Sequence, residues 1–417
     1  MPFWGSSTLP TKNYLVVLDI GTLWAKALVI YIENNEVCVV GRGYVKHAAN
    51  SMRGGMITNV AQVADTCREA IAKATKDLEA SPQDLIIGVN GQLVEGVTTT
   101  LHYDRAHPDH PLEQAELKNI IYTIQHRSSE KLRESIREKF NDAHPDVELI
   151  HAAVVETQLD GYAVENPIGF QGKRLSLTVF NAYLPLVYTS VLQQLAKLLG
   201  LHLISIATQP YGLSKLLVNE PGQDDIDGIF IDIGGKTTDV VIVKNGSVEG
   251  MQSFAVGGTA VTMAIKQELK LTLDRAEKLK QEYCKQASGK LASKISEAIK
   301  STAELWRSGV QLSLREFPDT KVLPSKIYLT GGGSSLPDLK SVLQSKTWIE
   351  GLAFVSKPTV QVVTENEIEL VADEANLTWE CQDLPLLGLA KLTLDLASPD
   401  DVTTATLQTI ISAMRHN

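Results

Sequence analysis

The sequence predicts an α/β fold of two lobes, and three observations carry that expectation. Residues 228–248 read as a hairpin, with Ile229, Phe230, Ile231 and Ile233 running in and Val240, Val241, Ile242 and Val243 running out. Residues 14–30 repeat the design: an apolar strand, then Asp19-x-Gly21-Thr22, then a second apolar strand. Residues 326–339 supply a third strand that ends in Gly331, Gly332 and Gly333 and leads into a helix. The chain has 417 residues, 44% hydrophobic and 21% charged, which is enough for two lobes with separate cores.

The chemistry of the turns points to phosphate. Asp232, Gly234, Gly235, Thr237, Thr238 and Asp239 crowd the second turn, where glycines let backbone N–H groups approach an anion and hydroxyls add donors. A carboxylate at the mouth of such a turn repels phosphate unless a cation stands between them, so Asp232 suggests Mg2+. An ordinary glycine turn with a capped end is the plain alternative for one such hairpin. Two copies followed by a strand-to-helix glycine turn weigh toward a shared phosphate ligand.

These stretches resemble the phosphate-1, phosphate-2 and adenosine motifs of the actin-like ATPase superfamily. Within it the chain is most similar to the bacterial cell-division family FtsA. The likeness also rests on Met52-Arg-Gly-Gly-Met-Ile-Thr-Asn59, Asp160-Gly-Tyr-Ala-Val-Glu-Asn-Pro-Ile-Gly169, Gly172-Lys-Arg-Leu175, Val256-Gly-Gly-Thr259 and Ala276-Glu-Lys-Leu-Lys280. The resemblance implies ATP and Mg2+ in a cleft between lobes, with Asp19 and Asp232 holding the metal through water. It implies nucleotide contacts from Gly21, Thr22, Lys26, Gly234, Gly235, Thr237, Thr238, Gly257, Gly258, Glu277, Lys280, Gly331, Gly332 and Gly333. Lys26 has the spacing from Asp19 at which actin carries a phosphate-contacting lysine, and a solvated strand lysine is the alternative. Glu277 and Lys280 fall where the family covers base and ribose, against a plain i,i+3 ion pair.

Gln209 joins Asp19 and Asp232 as the catalytic set. In the superfamily a Gln or Glu here orients the attacking water, and FtsA usually has Glu before the proline. Glutamine positions water but takes no proton at neutral pH, so at most a slow ATPase is expected. A helix cap is the alternative role.

In chain order, residues 1–11 form a tail carrying Phe3 and Trp4, which either touch a bilayer surface or fold onto the domain. Residues 12–84 begin the first lobe with three strands and a helix over 59–79, whose face is Val60, Val63, Cys67, Ala70, Ile71 and Ala74. Residues 85–170 read as an inserted subdomain: strand 85–89, a His- and Pro-rich loop 102–111, helix 112–140 and strand 148–155. The spacing of His102, His107 and His110 fits no usual metal site. Residues 171–227 return to the first lobe by strand, helix and strand. The second lobe follows as 228–258, a small subdomain 259–325 and 326–383; a helix at 384–396 completes the first lobe, and 397–417 is a tail. Residues 364–380 read as acidic and exposed.

Partners follow from the resemblance and from the departures. FtsA carries a small β-hairpin after its Ala-Glu-x-x-Lys helix, which docks the FtsZ tail; residues 288–294 leave almost no room for it, so FtsZ binding by that surface is in doubt. Self-association into a filament is expected, with other division-membrane proteins contacting the insert. The C-terminal stripe Leu407, Ile410, Ile411 and Met414 has few cations beside it, so packing on the body or a partner competes with the inner membrane. The net charge of −10 argues against nucleic acid, four scattered cysteines against zinc or a disulfide framework, and no apolar run is long enough to span a bilayer. The expected place is the cytoplasm, at the inner face of the division site. A PilM-like pilus adaptor and a small-molecule kinase of the same superfold are the competing readings. The kinase lacks an acidic base at position 209.

Overall fold

The computed structural model describes residues 12–48, 50–78, 81–89, 94–140, 146–164, 166–216, 227–244, 247–317, 322–345, 348–364, 372–397 and 407. The chain begins with β1 (Leu15–Ile20), β2 (Trp24–Glu33) and β3 (Glu36–Lys46), a small hairpin β4 (Met52–Arg53) and β5 (Met56–Ile57), α1 (Val60–Ala74) and β6 (Asp84–Val89). Next come β7 (Glu95–Asp104), α2 (Gln114–Phe140), β8 (Val147–Leu159), β9 (Tyr162–Ala163) and β10 (Arg174–Pro185). They are followed by α3 (Leu186–Leu199), β11 (His202–Thr208) and α4 (Gln209–Ser214). The second half runs β12 (Gly228–Ile233), β13 (Thr238–Lys244), β14 (Ser247–Phe254), α5 (Gly258–Leu269), α6 (Leu273–Lys285) and α7 (Gly289–Arg315). It closes with β15 (Lys326–Thr330), α8 (Pro337–Gln344), β16 (Thr359–Val362), β17 (Ala372–Asp373) and α9 (Leu384–Ala397).

The first lobe is a six-stranded sheet in the order β11-β6-β1-β2-β3-β17. Its central strand β1 is buried on both faces, as its continuous apolar run requires, and it pairs parallel to β6 and antiparallel to β2. Helix α1 starts at Asn59, whose side chain accepts from the Gln62 N–H, and lays Val63, Cys67, Ala70 and Ala74 on the sheet. The second lobe is β16-β15-β12-β13-β14, covered by α5, α7 and α8 through a core that includes Ile295, Ile299, Ala303, Trp306 and Val310 of α7.

Between the lobes lies an insert of four strands, β7-β10-β8-β9, with α2 placing Leu117, Ile120, Ile121 and Ile124 on it. Its edge strand β7 continues the second-lobe sheet, pairing at Gly250 and Val97, with the Thr98 hydroxyl donating to the Val248 carbonyl.

Several expectations need correction. The strand at 85–89 is β6 and belongs to the first-lobe sheet, because it pairs with β1 rather than with the insert. Residues 174–185, expected in the first lobe, form β10 at the centre of the insert, flanked by β7 and β8. His102 lies within β7 and bonds Ser176, so the loop starts later than expected. The described end of the acidic stretch is not free in solvent: β17 pairs with β3, and Glu374 meets Lys12 and Tyr31.

Other features follow expectation. Only residues 286–288 separate α6 from α7, leaving no hairpin there. Phe3, Trp4, Ile410, Ile411 and Met414 lie outside the described residues. Leu407 is described, and it is buried in the core of the insert beside Leu112, Leu117 and Ile121.

The six-residue α4 and the longer α9 meet closely. Gly212 of α4 and Gly388 of α9 pack backbone to backbone; a Cβ at Gly212 would lie 2.7 Å from the Gly388 carbonyl carbon. Any side chain would force these helices apart, and that contact brings the start of α4, with Gln209, up to the first lobe's turn.

Candidate functional site

Asp19 is the penultimate residue of β1 and sits opposite Lys26 of β2. The tight turn between them is closed by the Gly21 N–H donating to the Trp24 carbonyl at 3.0 Å. The Asp19 carboxylate is buried but well supplied: Lys26 Nζ lies 3.4 Å from Oδ2, and the amide of Gln209 donates to Oδ1. Gln209 is itself buried, at the first position of α4. Lys26 also donates to the Gln382 carbonyl at 2.7 Å, which ties the approach to α9 into the same place.

Asp232 holds the matching position at the end of β12, opposite Asp239 of β13 and beside Thr330 of β15. Its turn is closed by the Gly234 N–H donating to the Thr237 carbonyl at 2.9 Å. Here the carboxylate is not satisfied. Oδ1 is buried and has no hydrogen-bond partner. Burial pushes the carboxyl up to about 6; Lys26 pulls it back, the Asp19 charge pushes it further, and Thr330 opposes.

The third glycine turn lies against the end of β12. Gly331 has φ +78°, and a Cβ there would fall 2.1 Å from Asp232 Oδ1. The Gly333 N–H donates to the Ile233 carbonyl at 2.8 Å. Only glycine fits a left-handed backbone pressed this closely on a carboxylate.

The two hairpins meet. The Lys236 N–H donates to Thr22 Oγ1 at 3.1 Å, and a Cβ on Gly235 would touch Leu23 at 2.6 Å. On the second lobe, the Gly258 N–H donates to the Gly234 carbonyl at 3.0 Å and the Thr259 N–H to the Gly235 carbonyl at 2.7 Å, so Gly257 and Gly258 brace the turn. Lys280 then bonds the Gly258 carbonyl at 3.1 Å, Thr262 at 2.9 Å and Glu277 at 2.8 Å. Burial works against the Glu277 charge, but Lys280, Thr262 and Gln281 outweigh it and hold the carboxyl below its ordinary range.

Asp19, Gly21, Thr22, Lys26, Gln209, Asp232, Gly234, Gly235, Thr237 and the three glycines 331–333 therefore converge, with Gly257, Gly258, Glu277 and Lys280 adjoining. Thr238 does not join them. Its hydroxyl is fully buried, donating to the Val256 carbonyl at 2.7 Å and accepting from the Trp306 indole at 3.0 Å. Thr237, just before β13, keeps its hydroxyl at the turn, where a Cβ on Gly234 would lie 3.7 Å from it.

Two residues at this junction escape a motif search. His47 donates its backbone N–H to the Leu23 carbonyl at 2.9 Å; the residue is 8% exposed, and neither ring nitrogen has a hydrogen bond. Burial pushes the imidazole below its usual range, with Asp19 and Gly21 pulling it up and Lys236 adding to the depression. The antiparallel register of β2 and β3, which sets Trp24 opposite Lys46, is what brings position 47 back to the first turn. The other residue, Lys236, sits inside the glycine turn itself.

The donor set suits a hard cation that keeps much of its water. Among the described residues no cluster of three or more His, Cys, Asp or Glu could hold a metal alone. Two buried carboxylates within electrostatic reach of each other, one of them with an orphaned oxygen, match an ion that completes its shell with water and ligand phosphates.

A family profile described as "Cell division protein FtsA" matches residues 229–375. The cell division protein FtsA of Neisseria meningitidis serogroup B is 26% identical over 352 residues, covering 78% of this chain and 80% of that protein. That of Streptococcus pneumoniae is 23% identical over 353 residues, covering 80% and 73%. Among solved structures, a chain of the PilM-PilN type IV pilus biogenesis complex superposes with a TM-score of 0.58 at 17% identity, covering 90% of this chain and 97% of that one. No helix among the described residues is long and apolar enough to cross a membrane.

Proposed function

Taking as premise that the chain is FtsA-like and has the two-lobed actin-like ATPase fold, we propose that it is an ATP-binding scaffold of bacterial cell division. The observation that carries this reading is the meeting of two Asp-bearing turns from opposite lobes, Thr22 against Lys236, with Asp19 and Asp232 within each other's electrostatic reach. Asp19 and Asp232 would hold Mg2+ through water. When bound, that ion neutralises phosphate charge and relieves the burial of Asp232.

The chain's own residues do the rest. Backbone N–H groups around Gly21, Thr22, Gly234, Gly235 and Thr237 cradle the phosphates. Gly331, Gly332 and Gly333 receive the adenosine, and Glu277 with Lys280 lies toward base and ribose. Gln209 orients a water and, while it bonds Asp19, has no basic oxygen strong enough to take its proton, so turnover is slow. Phosphates clasped from both sides bias closure about the α4–α9 contact, and closure alters contacts between copies in a filament.

The three-residue link between α6 and α7 leaves FtsZ without the hairpin surface, so the insert is the better candidate for binding division-membrane proteins. A PilM-like adaptor that binds a short peptide is the second reading, favoured by the superposition on the PilM-PilN chain. Sedimentation of the full chain with ATP and liposomes, with and without FtsZ, separates them. The scaffold reading expects ATP-dependent pelleting; pelleting that ignores both ATP and lipid sinks it.

A further inference from the structure

Lys236 puts a cation into a turn otherwise built from Gly234, Gly235 and Thr237. Its side chain crosses to the first lobe, where Nζ donates to the Met52 carbonyl at 3.3 Å. No carboxylate pairs with it among the described residues, so a half-buried ammonium with three donors rests on one neutral acceptor. Beside it the buried His47 ring has two unpartnered nitrogens. Incompletely bonded polar groups therefore gather where the two lobes touch: an ammonium with one acceptor, and an imidazole whose N–H and bare nitrogen both lack a hydrogen bond.

That place is distal to the adenosine side of the cleft. The glycines 331–333 press on the Asp232 end of the hairpin, whereas Lys236 sits at its tip, against Thr22. A nucleotide with its adenosine on the glycine turn would bring its last phosphate nearest Lys236. We propose that Lys236 contacts the terminal phosphate of a nucleoside triphosphate, exchanging the Met52 carbonyl for it, an inference that rests on the nucleotide reading of the cleft. His47 supplies a neighbouring N–H donor.

The exchange has a structural consequence. Met52 begins the β4–β5 hairpin, and the carbonyl of Ser51 before it accepts the Thr58 and Asn59 N–H groups at 2.9 and 3.4 Å, directly ahead of α1. Lys236 thus holds this hairpin when no terminal phosphate is present and releases it when one is. The hairpin, with Met56 exposed just after its Gly54–Gly55 turn, reports which nucleotide is bound.

The test compares equilibrium binding of Mg·ATP and Mg·ADP to the full-length wild type, Lys236→Ala, Lys236→Met and Asp232→Ala. Lys236→Met keeps the bulk of the side chain and serves if the alanine variant does not fold. The expected result is a preference for ATP over ADP that falls about tenfold in the Lys236 variants, with ADP affinity changed less than about threefold. Hydrogen exchange in residues 51–59 should accelerate with ATP in the wild type and not respond in the variants. A wild-type ATP-to-ADP ratio in both Lys236 variants overturns the assignment while leaving the cleft intact, provided Asp232→Ala loses both nucleotides. A wild type that binds neither nucleotide overturns the cleft reading and the assignment together.

Discussion

Asp19 and Asp232 end equivalent strands at equivalent turns, one on each lobe, yet their surroundings differ. Asp19 is met by an ammonium and an amide, while Asp232 has an oxygen with no partner and a carboxyl raised by burial. The first turn is internally complete; the second keeps a buried carboxylate oxygen without a hydrogen bond. Duplicated geometry therefore need not mean duplicated roles, and the lobe that lacks its own counter-charge is the one whose state most depends on ligand.

The largest expected effect follows from that asymmetry. Asp232→Ala should weaken Mg·ATP binding about 100-fold, near 3 kcal/mol, by titration calorimetry. Asp19→Ala should lose about tenfold, because Lys26 and Gln209 remain beside the phosphates. Equal losses would break the comparison.

Stability without nucleotide should change with opposite sign. Asp19→Asn leaves Lys26 without its counter-charge and costs about 2–3 kcal/mol in denaturant unfolding. Asp232 has a folded-state pKa of about 6, above its ordinary 3.8, so between those values the folded protein holds a proton that the unfolded chain has lost. Stability on its account is therefore present at low pH and declines as pH rises through about 6. Asp232→Asn removes that loss. It should stabilise the nucleotide-free protein by about 2 kcal/mol at pH ~8, with the gain shrinking below pH ~6 and gone by pH ~4.

Two smaller effects sharpen the account. Gly331→Ala meets a positive φ and the Asp232 carboxylate at once, and should lower stability by about 2 kcal/mol in urea titration. Gln209→Ala should slow ATP hydrolysis about tenfold with ATP affinity changed less than about threefold, measured by phosphate release.

Both hairpins were legible in the sequence because a buried strand is a continuous apolar run, and an aspartate at its end stands out. Strand partners were not. Residues 85–89 and 175–180 both read as strands, but the neighbour of each is decided by pairing with β1 or β8, which local periodicity does not encode. The same holds for the acidic stretch before α9. Just beyond that stretch, Asp383 is buried against Arg42 and Tyr44, more than three hundred positions earlier in the chain. Thr238, expected beside the phosphates, bonds the Val256 carbonyl and the Trp306 indole instead, and strand alternation starting at Thr238 is the local signal for it. His47 left no local mark, whereas Lys236 stood inside the motif and was passed over because glycine and threonine already accounted for the turn.

The central claim is that one ligand is gripped by both turns. A double-mutant cycle on Mg·ATP affinity with Asp19→Asn, Asp232→Asn and the pair tests it most directly. Two carboxylates sharing one metal-bound triphosphate should couple by more than about 1 kcal/mol. Losses that simply add, within about 0.3 kcal/mol, would mean that the two turns serve separate sites and would contradict the account.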